Sequence, residues 1–193
     1  MRRNNLKFIG EGVVIGVDTS ISMARRDFKP NRLENAKRAV SIISRSLMSR
    51  NIPTLVSLIV FYKYSFPLTD LTEELSVIEQ AINQIEIMGK ITAPSEAIKD
   101  AYLILKSVPP GYYKRVILVT DAGFNEGISL ITSASLLARS NIELDMLTFS
   151  PISGKISNIL EQSTKITNGI WLNSSSVEEL LGNAAKLGER YPD

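Results

Sequence analysis

Three runs of β-branched and apolar residues dominate the chain: residues 13–17 (VVIGV), 55–62 (LVSLIVFY) and 116–120 (VILVT). A strand with one wet face alternates apolar and polar side chains. Near-continuous apolar runs instead predict strands covered on both faces, as in a parallel sheet between two helical layers. The segments between them have helical period. Leu33, Ala36, Val40, Ile43 and Leu47 recur on one face, with Asn31 as N-cap and Glu34 as its capping-box partner. Residues 64–68 follow the second run too closely for a crossover, which predicts an antiparallel hairpin.

Further helices are predicted from Thr72, with Leu75, Ile78, Ile82 and Ile85 inward, and over about 94–107, stopped by Pro109-Pro110-Gly111. Others fall over about 127–140, 157–165 and 175–187, the last with Ser175 and Glu178 at capping-box spacing. Strands are expected at 144–149 and 169–172. The pattern predicts one domain over residues 1–193, its core about 12–187. Its fold class is α/β: a doubly wound, mostly parallel six-stranded sheet with one antiparallel edge strand and helices on both faces.

Composition narrows the chemistry. The 193 residues contain no cysteine and no histidine. Disulfides, thiolate catalysis and cysteine zinc sites are excluded, and the commonest general base and transition-metal ligand is missing. Any metal site must be built of oxygen, which suits hard cations. With 22 basic and 20 acidic residues the net charge is +2, no electrostatic case for nucleic acid or an anionic membrane. No apolar run is long enough to span a bilayer, and MRRNNLKFIGEG lacks the apolar stretch of a signal peptide. A soluble, cytoplasmic chain is expected. Abundant isoleucine and the absence of cysteine are compatible with a thermophile.

Polar residues collect where the strands end. Asp18-Thr19-Ser20-Ile21-Ser22 follows the first run, Asp121 follows VILVT, and Gly89-Lys90-Ile91-Thr92 precedes a helix. Ligands of open α/β sheets bind outside the carboxyl ends of strands, where strand order reverses. If the first and fourth strands are neighbours there, Asp18 and Asp121 approach each other and repel, unless a proton or a cation intervenes. Ser20, Ser22 and Thr92 add neutral hydroxyl oxygens, ligands that Mg²⁺ or Mn²⁺ accepts. An ion held this way keeps a position open for an incoming carboxylate.

D-x-S-x-S alone is a weak signal; its placement after a buried strand, with Asp121 and Thr92, strengthens it. Arg25, Arg26, Lys29 and Arg32 read first as a solvated loop face, and more sharply as a lure for an acidic partner. Phe124 either packs under its loop or faces that partner, making Arg25, Arg26 and Phe124 the candidate rim. Trp171 is expected at the sheet edge, and Tyr112-Tyr113 at the opposite end carries no assigned role. Gly89-Lys90-Ile91-Thr92 lacks the glycine spacing of a P-loop.

Together these residues resemble the von Willebrand factor type A (VWA) domain and its metal-ion-dependent adhesion site (MIDAS), over about residues 12–187. The resemblance implies direct metal contact by Ser20, Ser22 and Thr92, with Asp18 and Asp121 acting directly or through water. Two positions depart from the family pattern without removing a ligand: Ile21 and Ala122 stand where the family often has glycine. A narrower resemblance, through Met23, Asp27-Phe28, Pro30, Arg32-Leu33 and Gly89-Lys90-Ile91-Thr92, is to the VWA domain of the proteasome's ubiquitin receptor. The Pro30-Asn31-Arg32 region is also similar to the VWA subunit of TFIIH. The chain ends soon after the last predicted helix, so no ubiquitin-binding tail is expected.

The resemblance implies a non-enzymatic module that binds a protein partner through the metal, the partner supplying an acidic side chain. A metal-independent assembly scaffold is the alternative. A Mg²⁺-dependent phosphohydrolase is remote, because Ser20 stands where an aspartyl-nucleophile enzyme needs its second Asp.

Overall fold

The computed structural model describes residues 8–124 and 126–192. Six strands form one sheet: β1 (Gly10–Asp18), β2 (Thr54–Phe61), β3 (Ser65–Pro67), β4 (Tyr112–Thr120), β5 (Ile142–Phe149) and β6 (Trp171–Ser174). Their order is β3-β2-β1-β4-β5-β6. Only β3 runs antiparallel, on the edge beside β2; the other neighbours pair in parallel. The expected architecture is present. The chain winds outward from β1 through β2, then returns to the other side of β1 through β4. The switch point therefore lies between the carboxyl ends of β1 and β4.

Each buried run divides its side chains between two layers. Val13, Ile15 and Val17 of β1 pack under α1 (Arg32–Met48), α2 (Leu75–Asn83) and α6 (Val177–Glu189). Val14 faces the opposite layer, formed by α3 (Pro94–Leu105), α4 (Leu130–Arg139) and α5 (Gly154–Ile166). Gly12 and Gly16 share that second face because there is no room for more: a Cβ would lie 2.7 Å from Val108 and 2.6 Å from Leu118, respectively. Asn31 caps α1 as expected, its Oδ1 accepting from Glu34 N at 2.8 Å.

Several boundaries differ from the sequence reading. α2 starts at Leu75, not Thr72, because Thr72 exchanges two backbone hydrogen bonds with Val56 of β2 (both 2.9 Å). α4 starts at Leu130, since Gly127 has φ +98° and cannot belong to a helix. The cap of α6 is shifted by one: Ser176 Oγ accepts from Glu179 N (3.1 Å), and Glu179 returns to Ser175 N (2.7 Å). β6 reaches Ser174 and so displaces the start of the helix to the second of two equivalent serine–glutamate pairs. α5 begins at Gly154 behind the Ser153 cap, earlier than its periodicity suggested.

β1, β4 and β5 all begin before their apolar runs. Each carries a buried charge within its first four residues, Glu11, Arg115 and Asp145. Arg115 donates to Glu11 (3.1 Å) and to Asp145 (2.6 and 3.1 Å), and also to the carbonyls of Leu187 and Arg190 at the end of α6. The opposite end of the sheet is thus tied together by a closed set of ion pairs. Among the described residues, no helix is long and apolar enough to cross a membrane.

Candidate metal centre

Asp18 is the last residue of β1, and its side chain is fully buried. Its Oδ1 accepts from the backbone N–H of Ser20 at 2.9 Å, which turns the chain sharply out of the strand. Its Oδ2 accepts from the hydroxyl of Thr120, the last residue of β4, at 2.6 Å. The same hydroxyl accepts from Ala122 N (3.0 Å), so Thr120 sets both the Asp18 rotamer and the Asp121-Ala122 turn. Sequence reasoning passed over Thr120; its position at the strand end facing Asp18 was the available signal.

Beyond the turn, a short 3-10 segment, Ile21–Ala24, carries Ser22. The hydroxyls of Ser20 and Ser22 lie 3.0 Å apart, as their spacing by two suggests. The loop that holds Thr92 is sewn to this segment. Ser20 forms a parallel bridge with Gly89, Ile21 N donates to Gly89 O (2.6 Å), and Met88 N donates to Thr19 O (2.8 Å). Ala93 N, one residue past buried Thr92, donates to Tyr62 O (2.7 Å). Asp121 closes the group from β4, with Oδ1 accepting from Gly123 N at 3.1 Å. A Cβ at Gly123 would stand 3.1 Å from Asp121 Oδ1 and 3.9 Å from Ser22 Oγ, so the absence of a side chain keeps this mouth open.

Burial pushes the Asp18 carboxyl up to about 6, and nearby Asp121 adds to the rise, against hydrogen bonds from Thr120 and Ser20 that pull it down. A buried carboxylate beside a second one is a place where a positive charge is favoured. The donors are oxygen throughout: Asp18, Ser20, Ser22, Thr92 and Asp121. Among the described residues no three acidic side chains form a metal-holding group. A cation here would rely on two carboxylates and three hydroxyls, a set that fits Mg²⁺ or Mn²⁺.

Arg32 corrects the sequence reading. It is not on a solvated face but buried, at 3% exposure. Its Nη1 donates to Asp121 Oδ2 at 2.9 Å. Its Nε and Nη2 grip Asp27 bidentately, at 3.0 and 2.5 Å, and its guanidinium lies 6.0 Å from the centre of the buried Phe149 ring. Asp27 is held well below the usual carboxylate range, first by those hydrogen bonds. Asn35 pins the loop that brings them there, donating to the carbonyls of Phe28 (3.1 Å), Lys29 (3.0 Å) and Asn31 (2.8 Å). Neither role was legible from a run of basic residues.

The remaining predicted residues separate. Arg25 and Arg26 are exposed, and Arg25 lines a recess of about 260 Å³ with Ser22, Arg32, Asp121 and Gly123. Phe124 is half-buried and packs against the second core. Ile21, 55% exposed, stands between the two serines. Ala122 takes φ +58°, the left-handed conformation that glycine adopts freely and other residues adopt at a cost of about 1–2 kcal/mol. Trp171 sits half-buried on edge strand β6, donating to Thr148 Oγ1 at 2.8 Å.

Residues 13–124 match the von Willebrand factor type A domain, more than half of the chain. This protein belongs to that family. A relative, the 26S proteasome non-ATPase regulatory subunit 4 of Dictyostelium discoideum, is 29% identical over 146 residues, covering 74% of this chain and 42% of the relative. The chain therefore spans less than half of that protein's length.

Solved structures share the fold. The SpRpn10 VWA domain superposes with a TM-score of 0.79 at 18% identity, over 96% of this chain and 100% of that one. An aerotolerance-related membrane protein from Bacteroides fragilis gives 0.76 at 23%, over 93% and 98%. Proximal thread matrix protein 1 of the mussel byssus, with a zinc-occupied MIDAS motif, gives 0.76 at 19%, over 94% and 46%.

Proposed function

We propose that this chain is a non-enzymatic protein-interaction module that recognises a protein partner through a Mg²⁺ or Mn²⁺ ion at the carboxyl end of the sheet. The observation that carries this reading is the gathering of Asp18, Ser20, Ser22 and Asp121 at the β1–β4 switch point, beside the loop of Thr92. In this reading Ser20, Ser22 and Thr92 hold the ion, while Asp18 and Asp121 balance its charge. The ion would supply an electrophilic point that a carboxylate of the partner completes. Exposed Ile21, Arg25 and Arg26 supply the rim. Phe124 contributes mainly to packing beneath it.

One observation favours a second reading. Arg32 already pairs with Asp121, so the acidic centre is partly neutralised by the protein itself. A metal-independent scaffold subunit fits that arrangement, and it agrees with a relative named as a proteasomal non-ATPase regulatory subunit.

The test is thermal unfolding of EDTA-treated protein with and without millimolar Mg²⁺ or Mn²⁺, alongside Asp18→Ala. A ligand at a hundred times its Kd stabilises the native state by about 2.7 kcal/mol, a shift of a few degrees. The expected result is a shift in the wild type that vanishes in Asp18→Ala, with partner capture lost in parallel. The variant should remain folded, because Asp18 is a charge that burial already disfavours. A partner retained equally in EDTA and by Asp18→Ala would select the scaffold.

A further inference from the structure

Two carboxylates, Asp27 and Asp121, share a single guanidinium, that of Arg32, and a third, the buried Asp18, stands beside Asp121 with Ser20 and Thr120 as its hydrogen-bond donors. Among these groups the carboxylates outnumber the guanidinium, an imbalance that favours a further positive charge. Arg32 has little freedom to leave. It is buried, gripped bidentately by Asp27, and held over the ring of Phe149. Asp27 is the outer end of this chain, with a side chain 42% exposed, and Asp121 the inner end, at 3%. The oxygen of Asp121 that Arg32 engages is Oδ2, while Oδ1 is taken by Gly123 N. Both oxygens of this carboxylate are thus committed within the protein.

We propose that Arg32 is a built-in counter-ion that competes with a divalent cation for the Asp121 carboxylate, and that Asp27 sets how strongly it competes. This rests on the metal-site reading above and deepens it. The protein carries its own positive charge at the centre, so the fold survives without metal and the ion binds only by outweighing Arg32. A positive side chain a few ångströms from the cation weakens its binding. Asp27 offsets part of that charge, so neutralising Asp27 leaves the guanidinium more repulsive to the ion.

The two residues therefore give effects of opposite sign. Arg32→Gln keeps a hydrogen-bond donor and removes the charge; Mg²⁺ should bind about tenfold or more tightly than to the wild type. Asp27→Asn should bind Mg²⁺ severalfold more weakly. The measurement is Mg²⁺ affinity of the full chain, from calorimetric titration and from melting temperature against Mg²⁺ concentration, with Mg²⁺ alone as the probe. A merely structural Arg32 would lower the melting temperature in EDTA but leave the affinity unchanged, which overturns the proposal. Weaker binding in Arg32→Gln also overturns it, since Arg32 would then be orienting Asp121 for the ion.

If Arg32→Gln does not fold, Asp27→Asn decides: weaker binding supports the competition, and equal or tighter binding ends it. Binding by Arg32→Gln where the wild type shows none supports this inference while sinking metal-dependent recognition by the wild type. Equal binding by wild type and Arg32→Gln, lost in Asp18→Ala, does the reverse. No Mg²⁺ binding by any folded variant overturns it.

Discussion

Asp18 and Asp121 are two carboxylates with different partners, and the difference organises the site. Among the described residues, Asp18 accepts hydrogen bonds from Thr120 and Ser20, whereas Asp121 meets the Arg32 guanidinium. The outer clamp titrates in a predictable direction. Arg32 lowers the Asp27 carboxyl below its ordinary 3.8. Its stabilising contribution is therefore fully present above that value and is lost as pH falls through the lower, folded-state value. Denaturant midpoints recorded between about pH 5 and pH 2 should fall for both proteins as other carboxylates protonate. The wild type should show an additional downturn that Asp27→Asn lacks. Parallel curves would mean that the Asp27–Arg32 pair contributes nothing to the native state. The candidate oxygen donors Asp18, Ser20, Ser22, Thr92 and Asp121 could be picked out from the chain, because such side chains beside strand ends stand out. Arg32 could not: a basic residue looks solvated until its carboxylate partner, 89 positions away, is placed next to it.

At the scale of elements, the candidate centre depends on a loop from outside both central strands. The segment from Met88 to Ala93 is fastened to the exit of β1 through Thr19, Ser20 and Ile21, and to Tyr62 after β2. Gly89 makes the close approach possible, since a Cβ there would lie 2.3 Å from the Tyr62 ring. Gly89→Ala must move the loop or the ring. It should cost about 1–3 kcal/mol, the range of overpacking in a close-packed site. It should also reduce any Mg²⁺-induced shift by displacing Thr92. An unchanged melting temperature and metal response would show that the loop yields freely. Element identity was legible wherever the period was clean: the β1, β2 and β4 cores, α1 with its Asn31 cap, and the hairpin to β3. The ends were not, because Thr72, Ser174 and the first residues of β1, β4 and β5 take their state from strand neighbours far along the chain.

For the whole molecule, the two ends of the sheet use charge differently. At the carboxyl end Asp18 and Asp121 are buried beside a surface recess, and only the outer carboxylate of the three, Asp27, is substantially exposed. At the other end Arg115 is enclosed by Glu11, Asp145 and the last carbonyls of α6, while Arg50 pairs with Glu11 (2.8 Å) and Arg190 with Glu143 (2.6 Å). Removing one member of a buried pair strands the other, which typically costs about 3–5 kcal/mol. Arg115→Met should destabilise by that amount in denaturant titration and free the end of α6, while leaving a Mg²⁺ response in the surviving folded fraction. A loss below about 1 kcal/mol would show that water reaches and solvates Glu11 and Asp145 once the arginine is gone.

By itself the sequence determined what local periodicity and residue chemistry can determine: a doubly wound α/β sheet, the exclusion of cysteine and histidine donors from any metal site, and polar clusters placed at strand ends. Burial on both faces writes itself into three to five consecutive apolar residues, and the absence of cysteine and histidine needs no structure to interpret. The tertiary structure decided how those clusters are balanced. Thr120 locks Asp18, Arg32 occupies Asp121, Asn35 pins the loop between them, and Arg115 closes the far end. A charge pair is a property of distance, and distance between residues tens of positions apart exists only once the sheet has brought their strands together.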